Sequence, residues 1–265
     1  MHLALDHITV IDTSPVQLAQ AARAAGCDGM CLFMEPMDIL PLMPKFDLYA
    51  DRAARVELRR VMDDLGVALD LAYPFTPTGR TEIAGFVPAM ECAAELGAGL
   101  INALLYDRDP TRRLAKFGEF CDLAGSFGLN VAVEFYPPSQ VGSLAAALDL
   151  VTQIGRPGRV GVNADLLHLM RSGGSLAELR AAPPGYVLYG QVADGPATAL
   201  HDAEFEASSE RMLCGDGDFD VAGFLRALPE KCPVSVEIPR NHAVGTETTA
   251  MRARRAVDSA RAAMA

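Results

Sequence analysis

Gly128-Leu129-Asn130-Val131-Ala132-Val133-Glu134 follows a helical pattern over residues 111 to 127 and ends on a carboxylate. The glycine can take the left-handed conformation that closes a helix, and the apolar run after it has strand length. A second helical pattern begins at residue 143, so the stretch reads as one turn of a β/α repeat.

The same unit recurs along the chain. Apolar runs fall at 3 to 10, 29 to 33, 67 to 72, 99 to 105, 130 to 134, 160 to 163, 186 to 192 and 234 to 238. Helical stretches fall at 15 to 25, 51 to 65, 82 to 97, 111 to 127, 143 to 154, 175 to 181, 219 to 228 and 246 to 264. Gly26, Gly66 and Gly97 repeat the part of Gly128, while Ser14-Pro15, Asp109-Pro110-Thr111 and residues 246 to 249 supply helix starts. Strands such as Val67-Ala68-Leu69-Asp70-Leu71-Ala72 are nearly continuous apolar runs, as expected where both faces are covered. Strict alternation selects an α/β fold with a parallel sheet, and eight repeats favour closure into a (β/α)8 TIM barrel, a single domain over residues 1–265. An open doubly wound sheet is the alternative, but neither GxGxxG nor GxxxxGK[ST] is present.

Composition narrows the function. The formal net charge is −11, which argues against nucleic acid, since that affinity rests on Lys and Arg neutralising phosphates. The N-terminal residues lack a basic segment followed by an apolar one, and no apolar run reaches about 18 residues, so a cytoplasmic protein without a membrane partner is expected. The cysteines at 27, 31, 92, 121, 214 and 232 form no CxxC pair and read as reduced, mostly buried apolar residues. Proline-rich loops after the second and third strands (residues 35 to 44 and 74 to 77) and the long excursion from Val192 to Asp218 should lie over the C-terminal mouth, where barrel sites sit.

Four consecutive strand ends carry oxygen ligands: Glu134 on the fifth, Asp165 on the sixth, Gln191 on the seventh and Glu237 on the eighth. One such carboxylate alone would as readily cap the following helix. Three at one mouth would repel one another and lose hydration, so either one is protonated or a cation neutralises them. A divalent ion is the simpler solution, and hard oxygen donors suit Mg²⁺ or Mn²⁺, with Co²⁺ also accommodated. His168 lies three residues after Asp165, placed to bind a substrate hydroxyl or to act as acid and base; a buried supporting histidine is the plainer alternative. Arg211, before Gly215-Asp216-Gly217, could clamp a carboxylate or phosphate or orient a hydroxyl, against the alternative of a surface arginine. His7 could line the pocket.

Val133-Glu134, Asp165-Leu166-Leu167-His168, Gln191-Val192-Ala193-Asp194, Arg211 with Gly215-Asp216-Gly217, and Val236-Glu237 make the chain resemble the xylose isomerase-like barrel superfamily. That group includes sugar epimerases, inosose dehydratase, 3-dehydroshikimate dehydratase and an abasic-site endonuclease. The resemblance implies metal binding by Glu134, Asp165, Gln191 and Glu237. Glutamine rather than histidine on the seventh strand, followed by Val-Ala-Asp, is similar to the bacterial 3-dehydroshikimate dehydratases. Cys214 stands where the superfamily often has proline.

The chemistry the resemblance implies is proton abstraction next to a carbonyl, giving a metal-stabilised enediolate, with either of Glu134 and Glu237 as base and the other returning the proton. Return of the proton to carbon makes an isomerase or epimerase of a polyhydroxylated small molecule. Loss of a β-hydroxyl, with His168 as acid, makes a dehydratase. The endonuclease is the poorer fit, because its multi-zinc centre takes many histidines and the chain has five. A non-catalytic sugar-binding relative is a further alternative. Such barrels commonly form dimers or tetramers, so a homo-oligomer is also expected.

Overall fold

The eight expected strands pair in chain order, and the computed structural model, which describes residues 2–264, closes them into a barrel. The strands are β1 (Leu3–Asp6), β2 (Gly29–Phe33), β3 (Ala68–Phe75), β4 (Leu100–Ala103), β5 (Asn130–Glu134), β6 (Val160–Asp165), β7 (Val187–Val192) and β8 (Val234–Val236). All pairings are parallel, and Ala4 of β1 lies in register with Ser235 of β8, which excludes the open sheet. The helices are α1 (Pro15–Ala24), α2 (Arg52–Leu65), α3 (Val87–Glu95), α4 (Pro110–Ser126), α5 (Leu144–Ile154), α6 (Leu166–Arg171), α7 (Leu176–Arg180), α8 (Ala203–Ser209), α9 (Val221–Ala227) and α10 (Thr249–Met264). Among the described residues no helix is long and apolar enough to cross a membrane.

The period-two geometry of a strand explains where polar groups collect. One set of strand residues, including Leu3, Leu5, Val131, Val133, Val160, Val162, Val234 and Val236, packs with the helices in the large core outside the barrel. The alternate set, including Ala4, Cys31, Leu71, Leu100, Ala132 and Tyr189, packs inside it. Two residues further along the same strands, the buried polar groups Asp6, Asn102, Glu134 and Gln191 follow Ala4, Leu100, Ala132 and Tyr189. The barrel interior is therefore mostly apolar at the level of Ala4, where Ser235 and the Tyr189 hydroxyl are buried polar exceptions, and mostly polar at its C-terminal mouth. Leu40 and Met43, from the loop after β2, join the interior cluster, so that loop does fold over the mouth.

Two details depart from the periodicity. The first apolar run is a strand only to Asp6, because the Asp6 carboxylate accepts from the Ile8 amide at 3.2 Å and turns residues 7 to 10 into a 3-10 helix. The helices α6 and α8 have six and seven residues, too short to register as periodic patterns. All six cysteines are buried and free. Burial raises the thiol pKa of Cys27, Cys92, Cys121, Cys214 and Cys232 to about 12, so these sulfurs stay protonated.

Candidate active site and metal centre

Glu134, Asp165 and Gln191 end or nearly end β5, β6 and β7, and Glu237 follows β8 directly. All four side chains are buried, together with His168 and Arg211. Donor atoms of Glu134, Asp165 and His168 lie within 4.8 Å of one another. His168 Nε2 is 3.3 Å from Glu134 Oε1, and the Tyr136 ring flanks the imidazole with centroids 4.9 Å apart. The histidine expected to serve substrate thus stands among the carboxylates themselves.

Asp165 does two things. Its Oδ1 accepts the His168 amide at 2.9 Å and so caps α6, which is what holds His168 over the mouth. Its Oδ2 accepts from Arg211 Nη1 at 2.7 Å, and the same nitrogen donates to Glu237 Oε2 at 3.1 Å. The crowded carboxylates therefore already share one positive charge. Burial works against ionisation of Asp165, but the Arg211 guanidinium and then His168 outweigh it and hold the carboxyl below its ordinary range. Burial likewise opposes the Arg211 charge, yet Asp165 and Glu237 raise its pKa above normal. For Glu237 burial wins, with Asp6 and Asp165 adding to it against Arg211, and its pKa stands well above the usual carboxylate value.

Arg211 is not a surface arginine. Its amide donates to the Pro239 carbonyl at 2.8 Å and its Nε to the Ala207 carbonyl at 3.1 Å, stitching the long loop between the ends of β7 and β8. Asp194 anchors that loop by accepting three backbone donors: Gly195 N at 2.8 Å, Gly215 N at 2.8 Å and Phe219 N at 3.0 Å. Gly215 has φ +92°, and at Gly217 a side chain would collide with the Asp194 carboxylate, so the Gly-Asp-Gly turn needs both glycines.

Four mouth residues were not singled out by the sequence. Asn102 Nδ2 donates to Glu134 Oε2, Asn163 Nδ2 to Gln191 Oε1, Gln191 Nε2 to Asp6 Oδ2 at 3.1 Å, and the Tyr73 hydroxyl to Asp6 Oδ1. Burial raises the Asp6 pKa to about 7, against hydrogen bonds from Tyr73, Ile8 and Gln191. The available signal was an amide inside an apolar strand, as in Leu100-Ile101-Asn102-Ala103 and Val160-Gly161-Val162-Asn163. His7 is buried beside Phe33 and Phe46, with Nε2 2.9 Å from the Thr13 carbonyl.

Fold and site together define a closed β/α barrel whose mouth holds four carboxylates, three amides, a tyrosine, a histidine and an arginine. The profile of the xylose isomerase-like TIM barrel family matches residues 19–262, and the chain belongs to that family. A 3-dehydroshikimate dehydratase of Pseudomonas putida is 27% identical over 257 residues, taking in 90% of this chain and 38% of that protein. An inosose isomerase of Bacillus velezensis is 30% identical over 127 residues, 46% of this chain and 44% of its own length. The match thus spans less than half of each of these relatives. The solved IOLI protein with a bound zinc atom superposes with a TM-score of 0.80 at 19% identity, over 99% of this chain and 98% of that one.

Proposed function

We propose that this protein is a divalent-metal-dependent isomerase or epimerase of a polyhydroxylated, sugar-like hydroxy-carbonyl compound. The observation that carries this reading is the convergence of Glu134, Asp165 and His168 donor atoms within 4.8 Å, with Glu237 joined to Asp165 through Arg211. Buried acidic groups packed this closely need protonation or positive charge, and the Arg211 guanidinium is shared between Asp165 and Glu237.

The donors fit a hard dication such as Mg²⁺ or Mn²⁺, with Co²⁺ as a further candidate; Glu134, Asp165, Gln191 and Glu237 would hold it. Gln191 Oε1 accepts one hydrogen bond from Asn163, which leaves it a second lone pair. When bound, the ion supplies Lewis acidity that polarises the substrate carbonyl. Glu134 then takes the proton from the neighbouring carbon, and Glu237 returns one to carbon. His168 binds a substrate hydroxyl beside Glu134, and Arg211 steadies the oxygens that gain charge.

A dehydratase is the second reading. The 3.3 Å approach of His168 to Glu134 puts a general acid next to the base, which elimination of a β-hydroxyl requires. The 27% identity to a 3-dehydroshikimate dehydratase favours the same outcome.

Both readings are tested with protein stripped by a chelator, reloaded with Mn²⁺ and incubated in D2O with ketoses, inososes and 3-dehydroshikimate. Proton NMR should show Mn²⁺-dependent loss of one carbon-bound proton signal. An isomer or epimer as product supports the first reading and an unsaturated product the second. Exchange that ignores Mn²⁺, or a Glu237→Gln variant with unchanged ion affinity and turnover, refutes both.

A further inference from the structure

Sharing Glu134 with the acidic cluster, Tyr73, Asp6, Gln191, Asn163, Asn102 and Glu134, from six different strands, form one continuous hydrogen-bonded belt. Its direction is fixed by its ends. The Glu134 carboxylate accepts the Asn102 NH2 group, and the Asp6 carboxylate accepts the Gln191 NH2 group. Asp6 is further saturated by the Tyr73 hydroxyl and the Ile8 amide, both of which donate to Oδ1.

Between those ends only one arrangement of the amides is consistent. Asn163 turns its NH2 to Gln191 Oε1 and, at 3.4 Å, to Asn102 Oδ1. Among the described residues the buried Asn163 oxygen has no partner. Turning Asn163 over would set its oxygen against two other amide oxygens, so the orphaned acceptor is the smaller cost.

This bears on Gln191 as an ion ligand. A glutamine amide has two ends of nearly equal size, only one of which can bind a cation, and the strand backbone does not choose between them. We infer that Asp6 is a positioning residue that holds the Gln191 NH2 group, so that the amide oxygen is the end offered to the ion. The inference rests on the metal-dependent reading above, and it assigns the first strand a part in the centre that none of its own ligands reveals.

The test is a double-mutant cycle on the full chain, reading Mn²⁺ affinity by calorimetry and the visible spectrum of the Co²⁺-loaded protein. Asp6→Asn should weaken Mn²⁺ binding about tenfold and change the Co²⁺ spectrum when Gln191 is present. In a Gln191→Ala background the same substitution should change neither. Should Asp6→Asn not fold, Tyr73→Phe removes one hydrogen bond to Asp6, leaves the Asp6 carboxyl group in place and should show the same dependence on Gln191. Equal losses in both backgrounds, or no loss in either, would overturn the positioning role alone. Failure of the unsubstituted chain to take up Mn²⁺ or Co²⁺ would overturn the metal reading, and the inference with it.

Discussion

Arg211 donates to Asp165 at 2.7 Å in a place where neither side chain reaches solvent. The same guanidinium nitrogen meets Glu237 at 3.1 Å, so a single residue from the loop after β7 ties the ends of β6 and β8 together. Breaking a buried pair strands the partner charge, which costs about 3–5 kcal/mol. Arg211→Ala should therefore lower the melting temperature of metal-free protein substantially. Saturating Mn²⁺ should restore more of the loss than it adds to the unsubstituted chain, because a dication takes over the neutralisation. Thermal unfolding with and without Mn²⁺ reads this directly, and equal Mn²⁺ increments in both proteins would refute it.

His168 is held by the cap that Asp165 makes to its amide, which does not depend on the ring. His168→Gln should keep the helix and the ion while removing the acid and base function. Turnover should fall about 10²–10⁴-fold with Mn²⁺ affinity within a few-fold of normal. A parallel collapse of Mn²⁺ affinity would make His168 an ion ligand instead.

The Asp194 side chain makes no hydrogen bond to a proposed ligand among the described residues, yet three backbone amides of the Arg211 loop point at it. Asp194→Ala leaves those donors unpaired, at about 1–3 kcal/mol for each that cannot find water. Limited proteolysis should then cut within residues 195 to 218 much faster than in the unsubstituted chain, and turnover should drop with Arg211 displaced. Unchanged cleavage would mean that the Gly-Asp-Gly turn holds without its anchor.

His7 supplies a pH dependence of stability. Burial lowers its pKa from the ordinary 6.5 to about 4, against the hydrogen bond to Thr13 and the field of Asp12. The unfolded chain therefore takes up the proton first as pH falls. This contribution to stability is complete above 6.5 and is lost progressively between 6.5 and about 4. The full span corresponds to about 3 kcal/mol. Denaturant unfolding of His7→Gln should show a shallower decline over that window than the unsubstituted chain, and parallel curves would rule out His7 as the source.

The strand rhythm and the four strand-end donors could be read directly, because alternation of apolar runs with helical patterns is local and strand ends in a barrel must share one mouth. Boundaries moved where a side chain intervened, as when Asp6 turned the chain after β1. The short α6 was hidden because its cause is a cap from Asp165 rather than a periodic face.

Sequence alone determined the eight β/α repeats, favoured their closure and placed the acids at one end, since each follows from spacing along the chain; the pairing of β1 with β8 decided closure. Only the tertiary structure decided how that crowding is managed. Arg211 comes from 46 residues beyond Asp165, and Asp6 from 185 residues before Gln191. No local pattern links residues so far apart in the chain; the barrel places them side by side, and burial there makes every hydrogen bond and charge consequential.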